Sequence, residues 1–573
     1  MNSSLLQNGI LRSALKVGVI SSIFAQMARV NLVYAGEVSG AYIDGNRYGK
    51  GEVGEILLIE GQQSIVLGRL IEVKLPERER GEISVESQGN RKVDAIGTIQ
   101  LLGTIDASSF SVDSGIKCYP RLGDRVYSAP LDFISLIPEL INRSLSDDGE
   151  NRIGIVLGNI SGGSTSIVTV EPDKLFGRHC AILGATGGGK SWTTAKILEE
   201  CANYNNSKTI ILDATSEYRS FNSEDCYHYH LGSPINQANG SIEFRIPPTD
   251  FMESDFIAMF DPSGKVQGPK LKEAIKSLRL VAIDPTIATN GILKKIKQPK
   301  TDYRRSMNTG DNSKLVDNPS QPFDITKLIS QIVQECCFDN GEDSWGNAAT
   351  QDLSYCSSLL TRIQAVTYAS SLKAVFHGDE NVAKLGDILE DFLSSNKRVL
   401  RLCLSDVSYE FFAREILANV IGRKLLTLAR LEKFREKPLL VIVDEAHNFL
   451  GKRVGSEDHS IKLDAFEMIA KEGRKYGLNI CLTTQRPRDI TEGVLSQIGT
   501  LLVHRLTNDR DRDVVERACG EIDKSAASFL PSLKQGEVAL VGVDFPIPMT
   551  IQIAQPTYPP ESDSPGYRNV WKK

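Results

Sequence analysis

Residues 182–191 read ILGATGGGKS, and this stretch decides the fold of the chain. It matches the phosphate-binding pattern GxxxxGK[ST], with Gly184 and Gly189 followed by Lys190 and Ser191. The apolar segment HCAIL precedes it and the helical pattern WTTAKILEECA follows, which is the strand–loop–helix context that the motif requires. Glycines let a loop wrap around phosphate with its N–H groups inward, and the helix N-terminus adds a positive end. The stretch therefore predicts an ATP site, and a glycine-rich turn without a ligand is the alternative.

Each polar residue of this motif has an expected role. Lys190 should reach the β- and γ-phosphates, and the hydroxyl of Ser191 should bind Mg²⁺. The residues predicted to hold the nucleotide are Gly184, Ala185, Thr186, Gly187, Gly188, Gly189, Lys190, Ser191 and Trp192.

A second acidic strand end is expected in a P-loop enzyme, and PLLVIVDEAH (438–447) supplies it. We predict that Asp444 holds the magnesium shell and that Glu445 is the general base for the attacking water. A buried strand that ends at a solvated Asp–Glu pair is the alternative.

Two further polar groups follow this strand. NICLTT ends at Gln485, which is predicted either to sense the γ-phosphate or to be a strand-end hydrogen bonder. EGRKYG places Arg474 at an exposed helix end before Gly477. Arg474 is either a solvated basic terminus or an arginine finger for the ATP of a neighbouring subunit.

Other charged segments leave alternatives open. Asp213 and Glu217 in ILDATSEYRS either face the nucleotide or cap a helix. The basic segment 294–305 either touches nucleic acid or is a solvated loop. Lys452 and Arg453 either contact DNA, as pore loops of ring ATPases do, or are solvated.

Composition limits the possible functions. The chain has 573 residues and a formal net charge of −6, so two or three domains are expected and any DNA contact must come from a local basic strip. Ten cysteines without metal-site spacing fit reduced thiols in the cytoplasm. The apolar stretch 17–36 is interrupted by Gln26, Arg29 and Asn31, so we predict a strand there and neither a membrane span nor a signal.

The character of the sequence changes along the chain. Short runs rich in Val, Ile and Gly, such as EILLIE and AIGTIQLLGTID, predict a small antiparallel barrel or sandwich near the start. After Ile153, apolar strands alternate with helices, which predicts an α/β domain with a parallel sheet. Residues 250–395 read as a helical insertion that is interrupted by a loop-like span, 297–322.

Taken together, these motifs resemble the HerA family, hexameric ATPases related to FtsK that translocate on double-stranded DNA. The resemblance covers nearly the whole chain and rests on RHCAILGATGGGKS, LDATSEY, VIVDEAHNFL, EGRKYGLNICLTTQRP, LSQIGTLLVHRLTN and LPSLKQGEVALVG. It implies a RecA-like P-loop ATPase core in an α/β fold. The implied domains are an N-terminal HAS-type barrel at 15–135, the core at 150–250 and 396–555, the helical insertion at 251–395 and a C-terminal tail at 556–573.

Carried over residue by residue, the resemblance supports the roles above. Lys190 and Ser191 match the Walker A pair, Asp444 and Glu445 the Walker B pair, Gln485 the sensor and Arg474 the arginine in trans. The chain departs from the family at LDATSEY, where relatives often have a Pro-His-Gly-like turn. The roles of Asp213 and Glu217 therefore stay open.

The resemblance also implies partners. Family members form rings on double-stranded DNA and work with a NurA-type nuclease or, in anti-phage defence, with a nuclease or a sirtuin-like NAD-degrading enzyme. The sequence carries no nuclease motif, so the effector is expected to be a separate chain docked on the barrel. The alternative is a ring scaffold that assembles and regulates an effector with little translocation. Intact Glu445 favours the motor. A third alternative is an FtsK-like or conjugative DNA pump, and the lack of a membrane segment argues against it.

Overall fold

The computed structural model of the chain describes most of the sequence in two compact units. The described residues are 9–32, 41–43, 46–62, 64–75, 95–141, 153–161, 166–222, 224–233, 235–377, 381–450, 453–455, 461–518 and 529–561. We call Met1–Asn203 with Thr483–Thr557 the first unit, and Tyr204–Leu482 with Tyr558–Lys573 the second unit. The predicted domain boundaries remain predictions.

The first unit begins with a closed β-barrel. The strands of this region are β1 (Lys16–Ile23), β2 (Met27–Leu32), β3 (Ala41–Ile43), β4 (Asn46–Tyr48), β5 (Ile56–Glu60), β6 (Ser64–Lys74), β7 (Ala95–Asp106), β8 (Val112–Ser114) and β9 (Arg125–Ser128). The antiparallel order is β2-β1-β9-β5-β6-β7, and β7 pairs with β2 again, which closes the barrel. β8 pairs with β7, and β3 and β4 form a separate hairpin. Of the two predicted alternatives, the N-terminal region is therefore a barrel.

Alternation along the strands fills the barrel. β7 alternates buried and half-buried positions over most of its length, as expected for a strand with one face inside. The side chains of Val30, Leu57, Val66 and Ile99 are fully buried in the interior cluster. Closure leaves few unpaired strand edges, so the barrel needs no neighbour to satisfy its backbone.

The remaining strands and the helices follow in chain order. The strands are β10 (Ile155–Ile160), β11 (Ile167–Val170), β12 (Cys180–Leu183), β13 (Lys208–Asp213), β14 (Cys226–His230), β15 (Ile242–Arg245), β16 (Cys337–Asp339), β17 (Trp345–Ala348), β18 (Ala383–Lys384), β19 (Val399–Cys403), β20 (Leu439–Val443), β21 (Arg453–Val454), β22 (Ile461–Lys462), β23 (Leu478–Thr484), β24 (Thr500–Val503), β25 (Glu537–Gly542) and β26 (Phe545–Ile553). The helices are α1 (Leu131–Leu140), α2 (Pro172–Phe176), α3 (Lys190–Ala202), α4 (Glu253–Phe260), α5 (Gly264–Ile283), α6 (Thr301–Met307), α7 (Asn312–Val316), α8 (Leu328–Glu335), α9 (Thr350–Thr367), α10 (Lys373–Phe376), α11 (Leu385–Ser394), α12 (Ala413–Arg430), α13 (Ala465–Glu472), α14 (Glu492–Leu495) and α15 (Asp509–Ala518).

The two units contain different kinds of sheet. In the first unit the order is β11-β10-β26-β25-β24-β12, and only β12 and β24 run parallel. In the second unit the order is β23-β20-β13-β19-β14-β15-β18, and every pair is parallel. β12, β13, β19 and β20 are buried at every position, which is typical of strands covered on both faces. The predicted RecA-like α/β fold with a parallel sheet is therefore confirmed.

Arg69 connects the barrel to the rest of the first unit. Its side chain leaves β6 and is 7% exposed. Its guanidinium donates a hydrogen bond to the carbonyl of Pro548 in β26 and lies 5.7 Å from the centre of the Phe529 ring. A buried guanidinium needs such acceptors, so Arg69 fixes how the barrel attaches within this unit.

The helical insertion differs from the sequence prediction in one place. The span 297–322 was expected to be a loop, but it contains α6 and α7. The C-terminal end of α7 is held by a long-range contact, because the Arg279 side chain is 1% exposed and donates to the carbonyls of Val316 and Pro319 at 3.2 and 3.1 Å. Sequence composition cannot reveal such an anchor. Within the described ranges, no helix has the length and apolar character that crossing a membrane would need.

Candidate functional site

The phosphate-binding loop lies in the first unit, between β12 and α3. Gly184 must be glycine, because a Cβ there would lie 2.5 Å from the Cβ of His504. Gly187 and Gly189 have φ values of 75° and 110°, a region that L side chains rarely adopt. The glycines at 184, 187 and 189 are therefore required by the geometry of the turn.

The loop is open beside Gly187, and the side chain of Lys190 folds back onto the loop backbone. Among the described residues, apart from the chain neighbours of Gly187, none has an atom within 4 Å of a Cβ built on this glycine, so the turn is open at this point. The Lys190 ammonium donates to the carbonyl of Ala185 at 3.2 Å, and Thr194 donates back to the carbonyl of Lys190 at 3.0 Å. Backbone N–H groups at a helix N-terminus and a lysine at its first position suit a polyphosphate. The residues present therefore fit the predicted nucleotide.

Gln485 reaches this loop. It follows β23, and its amide oxygen accepts a hydrogen bond from the Thr186 hydroxyl, 299 residues away in sequence. The Gly184 N–H also donates to the carbonyl of Thr484, so the end of this strand is joined to the loop twice. The structure thus brings Gln485 into contact with the phosphate-binding loop, and its role stays a prediction.

In the second unit, the Asp–Glu pair ends a buried parallel strand. β20 is buried throughout, the Asp444 side chain is buried, and its N–H donates to the carbonyl of Leu212 at 3.2 Å. Glu445 has φ 47° and ψ 47°, which is a left-handed conformation for a residue with a side chain. Such backbone strain persists where the surrounding structure enforces it, and it is concentrated at functional sites. The backbone at Glu445 therefore turns away from the direction of β20, and the surrounding structure holds it in that conformation.

Asp213 has a different environment, although it ends the neighbouring parallel strand β13. Its carboxylate accepts the Arg401 Nε–H at 2.7 Å, and both side chains are at most 1% exposed. The same carboxylate accepts the backbone N–H groups of Thr215, Glu217 and Tyr218 at 3.2–3.3 Å. Of the alternatives for Asp213, the turn-capping role is the one that the geometry supports, although it caps a turn and not a helix.

Comparisons with known proteins agree with these features. Residues 155–336 match the family described as "Helicase HerA, central domain". The chain is 24% identical over 486 residues to the probable DNA double-strand break repair helicase HerA of Methanocaldococcus jannaschii, covering 80% of this chain and 85% of that protein. It is 25% identical over 431 residues to the DNA double-strand break repair helicase HerA of Saccharolobus solfataricus, covering 75% and 73%. The predicted resemblance to the HerA family is confirmed.

A solved structure is also similar. VirB4 of Thermoanaerobacter pseudethanolicus aligns with a TM-score of 0.45 and 16% identity over 71% of this chain and 98% of that one. The P-loop and the similarity to HerA helicases together indicate that the chain is an ATP-hydrolysing enzyme, as the sequence predicts.

Arg474, the predicted arginine finger, is on the surface of the second unit. It lies in the short 3₁₀ helix Gly473–Tyr476 that follows α13, and its side chain is exposed. Gly477 ends this turn with φ 76°, and its N–H donates to the Arg474 carbonyl at 3.2 Å. The position is compatible with either predicted alternative for Arg474.

The residues predicted to contact DNA lie in different surroundings. Arg453 is exposed in β21, which pairs with β22, whereas Lys452 lies outside the described residues. In the other basic segment, Lys295 and Lys300 are buried and pair with Glu335 and Asp339, both at 2.6 Å. These two lysines are therefore internal ion-pair partners and not part of an exposed basic strip.

Sequence reasoning missed two histidines near the predicted groups. His504 follows β24, is fully buried against the P-loop glycines, and its Nε2 lies 2.8 Å from the Thr193 hydroxyl. Burial, and then the nearby charge of Lys190, lower its pKa to about 3, so this ring is neutral. His447 places Nδ1 3.1 Å from Oε2 of Glu445. The only available sequence signal was position: His504 directly follows an apolar strand, and His447 lies four residues beyond one.

Proposed function

We propose that this HerA-family chain is an ATP-driven, homohexameric translocase or helicase on double-stranded DNA. The observation that carries the proposal is the P-loop itself, an open turn in which Lys190 contacts the Ala185 carbonyl and Thr186 contacts Gln485. Its relatives from two archaea are DNA double-strand break repair helicases by name, and they match the chain over most of its length. We place its activity in the cytoplasm, where reduced cysteines are expected.

The chain's own residues divide the work of hydrolysis. Lys190 binds the β- and γ-phosphates, and Glu445 accepts the proton of the attacking water. Ser191 and Asp444 would hold Mg²⁺, which neutralises phosphate charge when bound. Mg²⁺ keeps much of its coordination for phosphate oxygens and water, so few protein ligands suffice. Gln485 orients the γ-phosphate end of the nucleotide.

ATP turnover with and without linear double-stranded DNA tests the motor. We expect DNA to stimulate turnover, and we expect the stimulation to fall steeply with salt because a motor that passes every sequence contacts phosphates. Lys452→Ala with Arg453→Ala should reduce this stimulation and keep basal turnover, whereas the exposed control pair Lys433→Ala with Arg435→Ala should change neither. An ATP turnover rate that DNA does not change would favour the ring scaffold instead.

Assembly is tested through Arg474. If each subunit completes its neighbour's site, Arg474→Ala should lose about 10³–10⁵-fold in turnover and still bind ATP. Mixing this variant with Lys190→Ala should restore partial turnover, because some interfaces then pair an intact loop with an intact arginine. Lys475→Ala, in the same exposed turn, is the matched control. A fully active monomer by light scattering, or exchanged rings without turnover, would refute the trans assignment.

We further propose that a separate nuclease or sirtuin-like effector docks on the barrel, in DNA end processing or anti-phage defence. Support comes from four large side chains near one turn of the barrel that are between 44% and 68% exposed: Phe24, Met27, Tyr119 and Leu122. The Tyr119 hydroxyl donates to the carbonyl of Ala25 at 3.0 Å, which joins the two segments that carry them. Leu122→Asp should abolish pull-down of a purified NurA-type nuclease and keep basal ATP turnover. If Leu122→Asp still bound the nuclease, the interface would lie elsewhere on the chain.

A further inference from the structure

We propose that His504 is a positioning residue for the P-loop: its ring holds the loop in the curvature that directs the loop N–H groups toward the phosphates. This inference rests on the proposed ATPase function and deepens it, because it assigns part of the affinity for ATP to a buried residue behind the loop. His504 directly follows β24, lies within the first unit and is fully buried.

The backbone of His504 is joined to the first residues of the loop. β24 pairs in parallel with β12 along its whole length. The pairing continues into the loop, because the His504 N–H donates to the carbonyl of Leu183 at 2.7 Å. On the next step, the Ala185 N–H donates to the carbonyl of Arg505 at 3.0 Å. Gly184 therefore lies between two backbone hydrogen bonds, directly beside His504.

The side chain of His504 packs against both ends of the loop. A Cβ on Gly184 would lie 2.5 Å from the Cβ of His504, and a Cβ on Gly188 would lie 3.4 Å from the same atom. A Cβ on Gly189 would lie 3.1 Å from Cε1 of the ring. Packed interiors transmit such contacts with little compression. The ring therefore limits how far the loop can flatten between its first and last glycines.

One polar contact fixes the orientation of the ring. Nε2 of His504 lies 2.8 Å from the hydroxyl of Thr193, which is fully buried near the start of α3. The Thr193 N–H donates to the carbonyl of Gly189 at 3.0 Å, so the partner of the ring belongs to the turn that ends the loop. His504 thus connects the end of β24 to the first residues of the loop and to the helix that follows it.

The contribution of His504 is geometric, because the ring carries no charge. Burial, and then the nearby charge of Lys190, lower its pKa to about 3. A lysine or arginine at 504 would bring a second charge to this buried position, and a phenylalanine would remove the partner of the Thr193 hydroxyl. The position therefore favours a neutral side chain with a polar atom where Nε2 lies.

Equilibrium binding of ATP and of inorganic tripolyphosphate, together with kcat and KM for ATP turnover, tests the assignment. We expect His504→Ala and Thr193→Val each to weaken both ligands by the same factor, about tenfold, because each removes the contact that shapes the loop. At saturating ATP, kcat should stay within about twofold, since Lys190 and Glu445 are intact. His504→Gln should keep most of the affinity, because its terminal amide can bond to the Thr193 hydroxyl.

His179→Asn is the matched control. His179 is also a buried histidine of the first unit, and it lies at the opposite end of the same strand pair, where its carbonyl accepts the N–H of Thr500 at 3.4 Å. This variant should lower the free energy of unfolding in urea and leave the affinity for both ligands unchanged. Adding Thr193→Val to His504→Ala should weaken binding little further, because both changes break one contact.

The outcomes separate this inference from the proposed function. If His504→Ala and Thr193→Val lower only stability, as the control does, the positioning role is wrong although the phosphate site stands. A loss of kcat at unchanged affinity would also overturn it, because the ring would then act on the chemical step. If the parent chain binds neither ATP nor tripolyphosphate, the proposed function fails and the positioning role with it. Thr193→Val keeps the shape of the side chain, so it gives the same comparison should His504→Ala not fold.

Discussion

Two neighbouring parallel strands of the second unit, β13 and β20, end in acidic residues that have opposite surroundings. At the end of β13, the Asp213 carboxylate is fully buried and is shared between Arg401 and three backbone N–H groups. At the end of β20, Glu445 is in a left-handed conformation, its side chain is 20% exposed, and it lies 3.1 Å from His447. The contrast teaches that an acidic residue at a strand end is a candidate general base only when its carboxylate oxygens do not already accept the hydrogen bonds that stabilise the fold.

The largest expected effect is at Glu445. Glu445→Gln keeps the shape of the side chain and removes the proton acceptor, so ATP turnover should fall by about 10²–10⁴-fold, measured as phosphate release. The matched control is Glu432→Gln, since Glu432 also has a positive φ and is exposed. If Glu445→Gln hydrolysed ATP at the parent rate, the acid at the end of β20 would not be catalytic and the two strand ends would not differ in function.

Asp213→Asn is expected to act on stability. Removing the charge leaves the Arg401 guanidinium buried without its partner, and breaking a buried ion pair costs about 3–5 kcal/mol. Unfolding by urea should report this loss, whereas Asp302→Asn, in an exposed ion pair with Arg305, should be nearly neutral. An Asp213→Asn chain as stable as the control would mean that the pair at β13 is not structural.

These two acids show what the sequence could and could not predict. The P-loop, β20 and Gln485 follow from local patterns, because apolar runs with a polar end or a glycine turn are visible within about ten residues. Asp213 could not be assigned, because its partner Arg401 is 188 residues away. The same reason hides His504, whose partner Thr193 is 311 residues away, and helix α7, whose last residue Arg279 contacts from 37 residues away. Contacts of this length depend on the packed fold.

The pH dependence of the free energy of unfolding should test the buried surroundings of Arg401, the partner of Asp213. Burial, and then the charge of Arg401, lower the pKa of His228 from 6.5 to about 4. Above pH 6.5 the ring is neutral in both states and contributes nothing. As the pH falls from 6.5 to 4, the unfolded chain takes up the proton first, so the free energy of unfolding should fall by at most about 3 kcal/mol. His228→Gln should show a shallower fall in urea unfolding over this range, and an identical slope would contradict the assignment.

The smallest effect is expected at His447. Its ring positions the Glu445 carboxylate, so His447→Ala should lower turnover by a few-fold and leave ATP binding unchanged. A double-mutant cycle separates positioning from a general structural role, because His447→Ala should cost nothing further in a Glu445→Gln background. Additive losses in turnover would show that His447 acts independently of Glu445.

The state of the nucleotide retained by the Glu445→Gln chain tests the central claim most directly, namely that Glu445 accepts the proton of the water that cleaves ATP held by the P-loop. The variant is incubated with ATP and Mg²⁺, freed of unbound nucleotide and denatured, and the released nucleotide is separated by chromatography. Lys190→Ala serves as the control that should retain little nucleotide. We predict that Glu445→Gln retains nucleotide almost entirely as ATP, whereas the parent chain retains ADP. Recovery of ADP from Glu445→Gln in the parent proportion would contradict the account.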